Sequence, residues 1–274
     1  MTMSVAERRA RFRELHDAEG IFVMPNPWDA GSARLLASAG FKALATTSAG
    51  FAWSLGRLDQ HVTRDELVAH VAELTAATDL PLNVDSEHCF PDDPGGVART
   101  VAQLAAAGAA GCSIEDYDPV ADRIEQLEVA VERVGVAAAA AHELPEPMLL
   151  TARAENHLRG VQDLDDTIRR LVAYRDAGAD AVYAPGMTDL EQIRTLVRAV
   201  EVPVNVLVLP GGPTVAELAA LGVRRISAGS LLAAAGYGAL VEAARELLNE
   251  GTAPATEGLI SRKTLAAAFA SDAG

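Results

Sequence analysis

The 274-residue chain is poor in cysteine, with Cys89 and Cys112 its only two. Two thiols exclude a disulfide framework and a cysteine-based zinc site, and they fit a reducing cytoplasm. Aromatic residues are also scarce, at 4%. The helices must therefore pack through small faces, and alanine is abundant enough to supply them. Basic residues are in deficit: 23 Lys and Arg stand against 38 Asp and Glu, a net charge of −15. That balance argues against nucleic-acid binding, which calls for a basic stripe, and against a polybasic membrane-surface protein. No apolar run approaches the roughly 18 residues of a membrane span, and the alanine-rich stretch from Val134 to Ala141 is far too short. The opening segment MTMSVAERRARFRELHDAEG is polar and charged, so no signal peptide is expected. These absences leave a soluble, cytoplasmic enzyme of small metabolites.

Half of the residues are hydrophobic and 22% are charged, enough for a large core. Short apolar runs alternate with helical patterns throughout. The strand candidates are Ile21–Met24, Ala43–Thr46, Leu82–Val84, Gly111–Ile114, Met148–Ala152, Ala181–Tyr183, Val204–Leu207 and Arg225–Ser227. They read as apolar on both faces, the mark of buried parallel strands. Between them lie predicted helices at Arg64–Ala77, Gly95–Ala107, Asp122–Ala141, Asp163–Ala177, Leu190–Ala199 and Thr214–Leu221. Phrases such as SAGFKAL, AAGAAGC, DAGADAV and ALGVRRI each end a helix on glycine and turn into a strand. Eight such units predict a closed (β/α)8 barrel over residues 1–250. An open doubly wound sheet would carry a glycine-rich phosphate loop after its first strand, and none is present; LPGGPT at Leu209–Thr214 reads as a plain loop. Leu231–Asn249 is helical, and a Gly/Thr/Pro-rich linker then leads to a final helix around Ser261–Ala270, so residues 251–274 form an appendage.

Barrel enzymes carry their chemistry at the C-terminal ends of the strands, and the ionisable residues collect there. Trp28 and Asp29 follow the first strand, and Thr46 to Gly50 follow the second with Asp59 in its loop. Asp85, Glu87 and His88 follow the third, Glu115 and Asp116 the fourth, and Arg153, Glu155 and His157 the fifth. Asp85 and Glu87 are two residues apart and can share a side of an extended backbone. Several carboxylates around one barrel mouth repel each other unless a cation neutralises them. A hard divalent ion with oxygen ligands, Mg²⁺ or Mn²⁺, suits that role, and Arg153 can fork onto a substrate carboxylate. Asp116 and Asp29 read equally well as caps or salt-bridge partners. The histidines have no zinc-ligand spacing; His157 reads as a loop residue and His88 stays open. Cys112 reads as core, whereas Cys89 lies beside the carboxylates.

Taken together, MPNPWDAGSARLLASAGFKALATTSAGFAWSLGRLDQ, VDSEHCFPDDP, SIEDYDP, TARAENHLRG, YAPGM and PVNVLVLPGGPTVAELAALGVRRISAGS resemble the isocitrate lyase/phosphoenolpyruvate mutase superfamily, specifically its shorter members. The resemblance implies a (β/α)8 TIM-type barrel whose C-terminal helix is often exchanged between subunits of a homodimer or homotetramer. It also implies Mg²⁺ or Mn²⁺, and a 2-oxo or 2-hydroxy acid substrate that reacts through an enolate. It implies that Asp85 ligates the metal directly, that Asp59, Glu87 and Glu115 hold metal-bound water, and that Trp28 borders the substrate. Ser48, Ala49 and Gly50 would donate to the substrate carboxylate, Arg153 would contact its oxygens, and Asn205 would lie near the pocket.

Two departures stand out. The family pattern DxExGYG is Asp85-Ser-Glu87-His88-Cys89-Phe90-Pro91 here. With both glycines gone, the loop is expected to take another path. The lyase gating loop Lys-Lys/Arg-Cys-Gly-His, whose cysteine is a general acid, is also absent: from Glu115-Asp-Tyr-Asp-Pro119 the chain is expected to run straight into helix. That argues against isocitrate or methylisocitrate cleavage. The expected activity is a Mg²⁺-dependent C–C lyase or an oxaloacetate-like decarboxylase, because departing CO₂ takes no proton. The alternatives are P–C chemistry on a phosphonopyruvate-type acid, a biosynthetic enolate reaction, or a catalytically silent 2-oxo-acid-binding protein.

Overall fold

The structure, a computed structural model, describes residues 3–91, 93–253 and 258–270. Its elements in chain order are α1 (Val5–Asp17), β1 (Phe22–Met24), α2 (Ala30–Ser38), β2 (Leu44–Ala45), α3 (Ser48–Ser54), α4 (Arg64–Ala77), β3 (Leu82–Asp85), α5 (Gly96–Ala106) and β4 (Gly111–Glu115). There follow β5 (Tyr117–Asp118), β6 (Arg123–Ile124), α6 (Leu127–His142), β7 (Leu149–Arg153), α7 (Leu164–Asp176), β8 (Ala181–Tyr183), α8 (Leu190–Val200), β9 (Val204–Leu207), α9 (Val215–Ala220), β10 (Arg225–Ser227), α10 (Leu231–Glu250) and α11 (Arg262–Phe269). Eight parallel strands lie in the order β1-β10-β9-β8-β7-β4-β3-β2. Ala45 N–H donates to Pro25 C=O at 3.1 Å, and the Asn26 amide donates to Thr46 C=O at 2.7 Å. Those two bonds tie β2 back to β1, which gives the (β/α)8 barrel.

The strands alternate rather than being apolar throughout, which corrects the reading from sequence. Val84, Cys112, Ile114, Leu150, Ala152, Val182, Val204, Val206 and Ile226 belong to the large buried cluster packed with the helices. Their neighbours Asn83, Ser113, Thr151, Asn205, Arg225 and Ser227 are equally buried but polar. Successive strand residues point to opposite faces, so these polar side chains fill the barrel interior. Below them a second apolar cluster joins Met24, Ala43, Ala45, Ala110 and Leu149 to Phe12 of α1.

Helix α1 was unforeseen because its sequence is mostly charged. Ser4 caps it reciprocally with Glu7, an arrangement that stabilises a helix by about 1 kcal/mol. Phe12 is its anchor in the barrel floor. Gly111 makes room: a Cβ there would come within 2.7 Å of the Phe12 ring.

The segment after Glu115 also differs from expectation. Instead of entering helix at Asp122, the chain forms the antiparallel pair β5–β6 and reaches α6 only at Leu127. The Asp118 carboxylate accepts from Val120 N at 2.9 Å and Ala121 N at 3.1 Å, closing a turn that competes with helix. At the other end, α11 lies against α2. Residues 254–257 of the linker and 271–274 of the tail are outside the described residues. Among the described residues, no helix is long and apolar enough to cross a membrane.

Candidate active site

The strand ends deliver one arginine into a ring of acids. Arg153, the last residue of β7, donates from Nη1 to Asp85 Oδ1 at 2.6 Å. Its Nη2 faces Glu115 Oε2 at 3.1 Å and Glu155 Oε1 at 2.9 Å, while Nε also donates to Glu155 Oε1. The guanidinium carbon lies 5.3 Å from the centre of the Tyr183 ring. Asp85 is held from the other side: Ser48 N–H donates to its Oδ2 at 3.1 Å, and its own N–H donates to Thr46 Oγ1 at 2.8 Å. Gln60 donates to Glu115 Oε1 at 2.9 Å. Behind this layer Asp116 accepts from Glu155 N, Tyr174 Oη and Arg170 Nη1. Asp116 is thus a salt-bridge partner, and Asp29 caps α2 through Ser32 N.

Asp59, Glu87, Glu115 and Glu155 crowd the surroundings of Asp85 and Arg153, and burial dominates the titration of all four. Burial pushes the Glu87 carboxyl up to about 8, with Asp85 and Asp59 adding repulsion. Burial, then Asp85, also raises Asp59, against a partial pull from the Ser48 hydroxyl. Glu115 and Glu155 are raised by burial too, with Arg153 opposing. Burial disfavours the charge on Arg153, but Glu155, Asp85 and Glu115 together hold the guanidinium firmly charged. Burial is the largest cause for each of these acids, and the one guanidinium offsets it only in part.

The arginine borders a cavity of about 170 Å³. That space admits several waters, or a small organic acid in their place. Ser48, Ala49, Asp59, Asp85, Arg153 and Asn205 line it. Glu115 reaches it only through Arg153. Glu87 adjoins Asp85 in an apolar recess with Phe51, Val62, Leu67 and Phe90. Trp28, Gly50 and His88 do not line the cavity. Gly50 lies in the first turn of α3, and its N–H is taken by the N-cap Thr47 Oγ1 at 3.2 Å. A side chain on Gly50 would strike Thr47, Trp28 and Ala233, so the glycine lets Trp28 and α10 close against α3. His88 is buried and tilted against Phe90 at 5.6 Å.

Cys89 adopts φ +58° and Phe90 φ +48°. Cysteine therefore takes up the glycine-favouring backbone instead of avoiding it, a conformation that costs about 1–2 kcal/mol. Cys89 N donates to Ser86 O at 2.8 Å, Thr100 Oγ1 donates to Cys89 O at 2.9 Å, and Arg64 donates to Phe90 O at 2.6 Å. Burial pushes the Cys89 thiol up to about 12, which makes it a poor nucleophile. Cys112 is fully buried in the core.

A hard divalent cation suits this donor set by charge. Asp59 Oδ1 is buried without a hydrogen-bond partner, and carboxylates outnumber cations. In the present side-chain arrangement, no three His, Cys, Asp or Glu side chains among the described residues converge on a metal position, because Arg153 stands between Asp85 and Glu115.

The phosphoenolpyruvate phosphomutase family matches this chain over residues 12–248. The chain belongs to the isocitrate lyase/phosphoenolpyruvate mutase superfamily. It is 33% identical to an oxaloacetate decarboxylase of Paraburkholderia xenovorans, across 81% of this chain and 75% of that protein. It is 30% identical to a probable 2-methylisocitrate lyase of Corynebacterium glutamicum, across 86% and 74% respectively. A crystal structure from Burkholderia cenocepacia J2315 superposes with a TM-score of 0.93 at 50% identity, covering 98% of this chain and 97% of that one. Members of the superfamily are carbon–carbon lyases and mutases.

Several residues of this superfamily member's site escaped the reading from sequence. Tyr183, Ser227, Asn83 and Arg225 line the cavity but lie within strands, where alternation was the only available signal. Glu155 was visible two residues after Arg153, a spacing that lets both point inward. Gln60, at φ +65°, left no signal.

Proposed function

We propose that this protein is a divalent-metal-dependent lyase that cleaves or decarboxylates a small 2-oxo or 2-hydroxy acid through an enolate. The carrying observation is Arg153, buried among Asp85, Glu115 and Glu155 on the wall of a cavity sized for such an acid. The relative named oxaloacetate decarboxylase favours oxaloacetate-like substrates.

In this reading Asp85, with Asp59, Glu87 and Glu115 around it, holds Mg²⁺ or Mn²⁺. Such an ion supplies Lewis-acid stabilisation of the charge that develops on the 2-oxo oxygen. Arg153 binds and orients the substrate oxygens, while the Asn205 amide offers a further donor. In decarboxylation the C3–C4 bond breaks, its electron pair stays on the pyruvate enolate, CO₂ leaves without a proton, and solvent returns one proton to C3. No buried acid is needed for departure. That suits a site whose nearest thiol is held near 12 and whose β4 exit leads into the β5–β6 hairpin.

The same two observations favour a second reading, a 2-oxo-acid-binding protein without turnover. Incubation with Mg²⁺ and a panel of 2-oxo, 2-hydroxy and phosphonopyruvate-type acids separates the two, with pyruvate or glyoxylate release and C3 proton exchange followed by NMR. Release or exchange supports the lyase; saturable binding with neither sinks it.

Self-association is part of the same proposal. Leu240, Leu247 and Leu248 of α10, with Leu259, Ile260 and Phe269 near the C-terminus, are large and exposed. Such surface is seldom left to solvent in one patch.

A further inference from the structure

Opposite the acids, the cavity is lined by a buried arginine with no counter-charge. Arg225 opens β10 at the N-terminal end of the barrel and is 2% exposed. Buried arginines are ordinarily paired with a carboxylate. Among the described residues this one bonds only neutral groups: Asn205 Oδ1 from Nε at 3.1 Å, Thr151 Oγ1 from Nη2 at 2.8 Å and His16 Nε2 from Nη1 at 3.1 Å. A guanidinium only donates. His16 Nε2 must therefore accept, and its proton sits on Nδ1, which donates to Phe12 O at 2.8 Å. Burial, then Arg225, depresses the His16 pKa to about 3, so the imidazole is neutral. Tyr183 is neutral as well, pushed up to about 12 by burial. Burial lowers the Arg225 pKa to about 10, which leaves it charged at neutral pH.

The same donor-only rule fixes Asn205. Its Oδ1 must face Arg225, so its Nδ2 turns to Ser227 Oγ at 2.9 Å. Of the five guanidinium N–H bonds, three are used. Two, together with one of the Asn205 amide, have no protein acceptor among the described residues. Arg225 and Asn205 both border the cavity that Arg153 borders.

We propose that Arg225 and Asn205 form an anion subsite at the cavity floor, which takes the second carboxylate of a dicarboxylic 2-oxo or 2-hydroxy acid engaged at the mouth by Arg153. This rests on the functional reading above and assigns the residues that hold the second carboxylate of its oxaloacetate-like substrate. Arg225 holds the positive charge, and it fixes the Asn205 amide so that only donors face the ligand.

The test compares malate with lactate, which differ by the distal carboxylate, by calorimetry on the Mg²⁺-loaded full chain. Wild type is expected to bind malate at least about tenfold more tightly. Arg225→Met should remove that preference and leave lactate affinity within about threefold, retained lactate binding serving as proof of fold. Asn205→Asp covers the case in which Arg225→Met does not fold. Aspartate still accepts from Arg225 and cancels its charge, so the fold is kept and the malate preference is lost. A preference that survives in either folded variant, or its absence in wild type with both acids bound, overturns the subsite and leaves the functional reading standing. Failure of wild type to bind either acid overturns both.

Discussion

Arg153 donates to Asp85 at 2.6 Å from a strand 68 residues further along the chain, so the cation of the site is already engaged by its proposed principal metal ligand. Arg153→Met would strand Asp85, Glu115 and Glu155 in a buried setting, at a cost of about 3–5 kcal/mol near pH 8. Burial already raises Glu115 and Glu155 against the pull of Arg153, and without the arginine their folded pKa values rise further above the unfolded ones. The folded state then binds the extra protons, and stability falls as pH rises. Urea denaturation should accordingly show a smaller deficit at pH 5 than at pH 8; equal deficits would refute shared compensation.

Asp85→Ala removes an acid held by Ser48 N and Arg153. Mg²⁺ or Mn²⁺ binding measured by calorimetry should vanish, and any metal-dependent turnover should fall at least about 100-fold. Full activity in this variant would rule out the metal position.

Cys89 isolates a backbone effect. At φ +58° glycine is free of the strain that alanine retains, so Cys89→Gly should be more stable than Cys89→Ala by about 1 kcal/mol. Paired chemical denaturation curves give the difference, and the reverse order would mean that the loop relaxes out of the left-handed region.

Two buried histidines set the acid limb. Burial lowers His16 to about 3 and His70, stacked on Phe51 at 3.7 Å, to about 4. Both folded values lie below the ordinary 6.5, so the unfolded chain takes up protons first and stability falls as pH drops below about 6.5. Each contributes a loss of about 2 kcal/mol by pH 5. His16→Gln, whose amide oxygen can still accept from Arg225, should flatten that limb; an unchanged slope would exclude His16 as its source.

Leu248, 84% exposed on α10, tests assembly. Light scattering should report a dimer or tetramer for the wild type and a smaller species for Leu248→Glu. A monomeric wild type would refute self-association through this face.

The strand-and-helix alternation was legible because its causes are local: apolar runs, glycine after each helix, and caps such as Thr63 with Glu66. Helix α4 begins and ends at the predicted residues for that reason. The acids at the strand ends were legible too, since barrel topology puts every such end on one rim. What is absent from local pattern is contact between distant strands. The charged α1 gave no hint that Phe12 would plug the barrel, and Pro119 gave none of the hairpin that Asp118 closes.

The sequence by itself determined that eight βα units exist and that carboxylates and Arg153 gather at one rim, because period and composition are properties of neighbouring residues. Only the tertiary structure decided that Arg153 would divide its charge among three acids, that Cys89 would hold a left-handed backbone, and that Arg225 would sit uncompensated at the cavity floor. Closing the barrel selects which alternate strand residues face inward and at what height. A buried group's charge balance is the sum of those long-range choices.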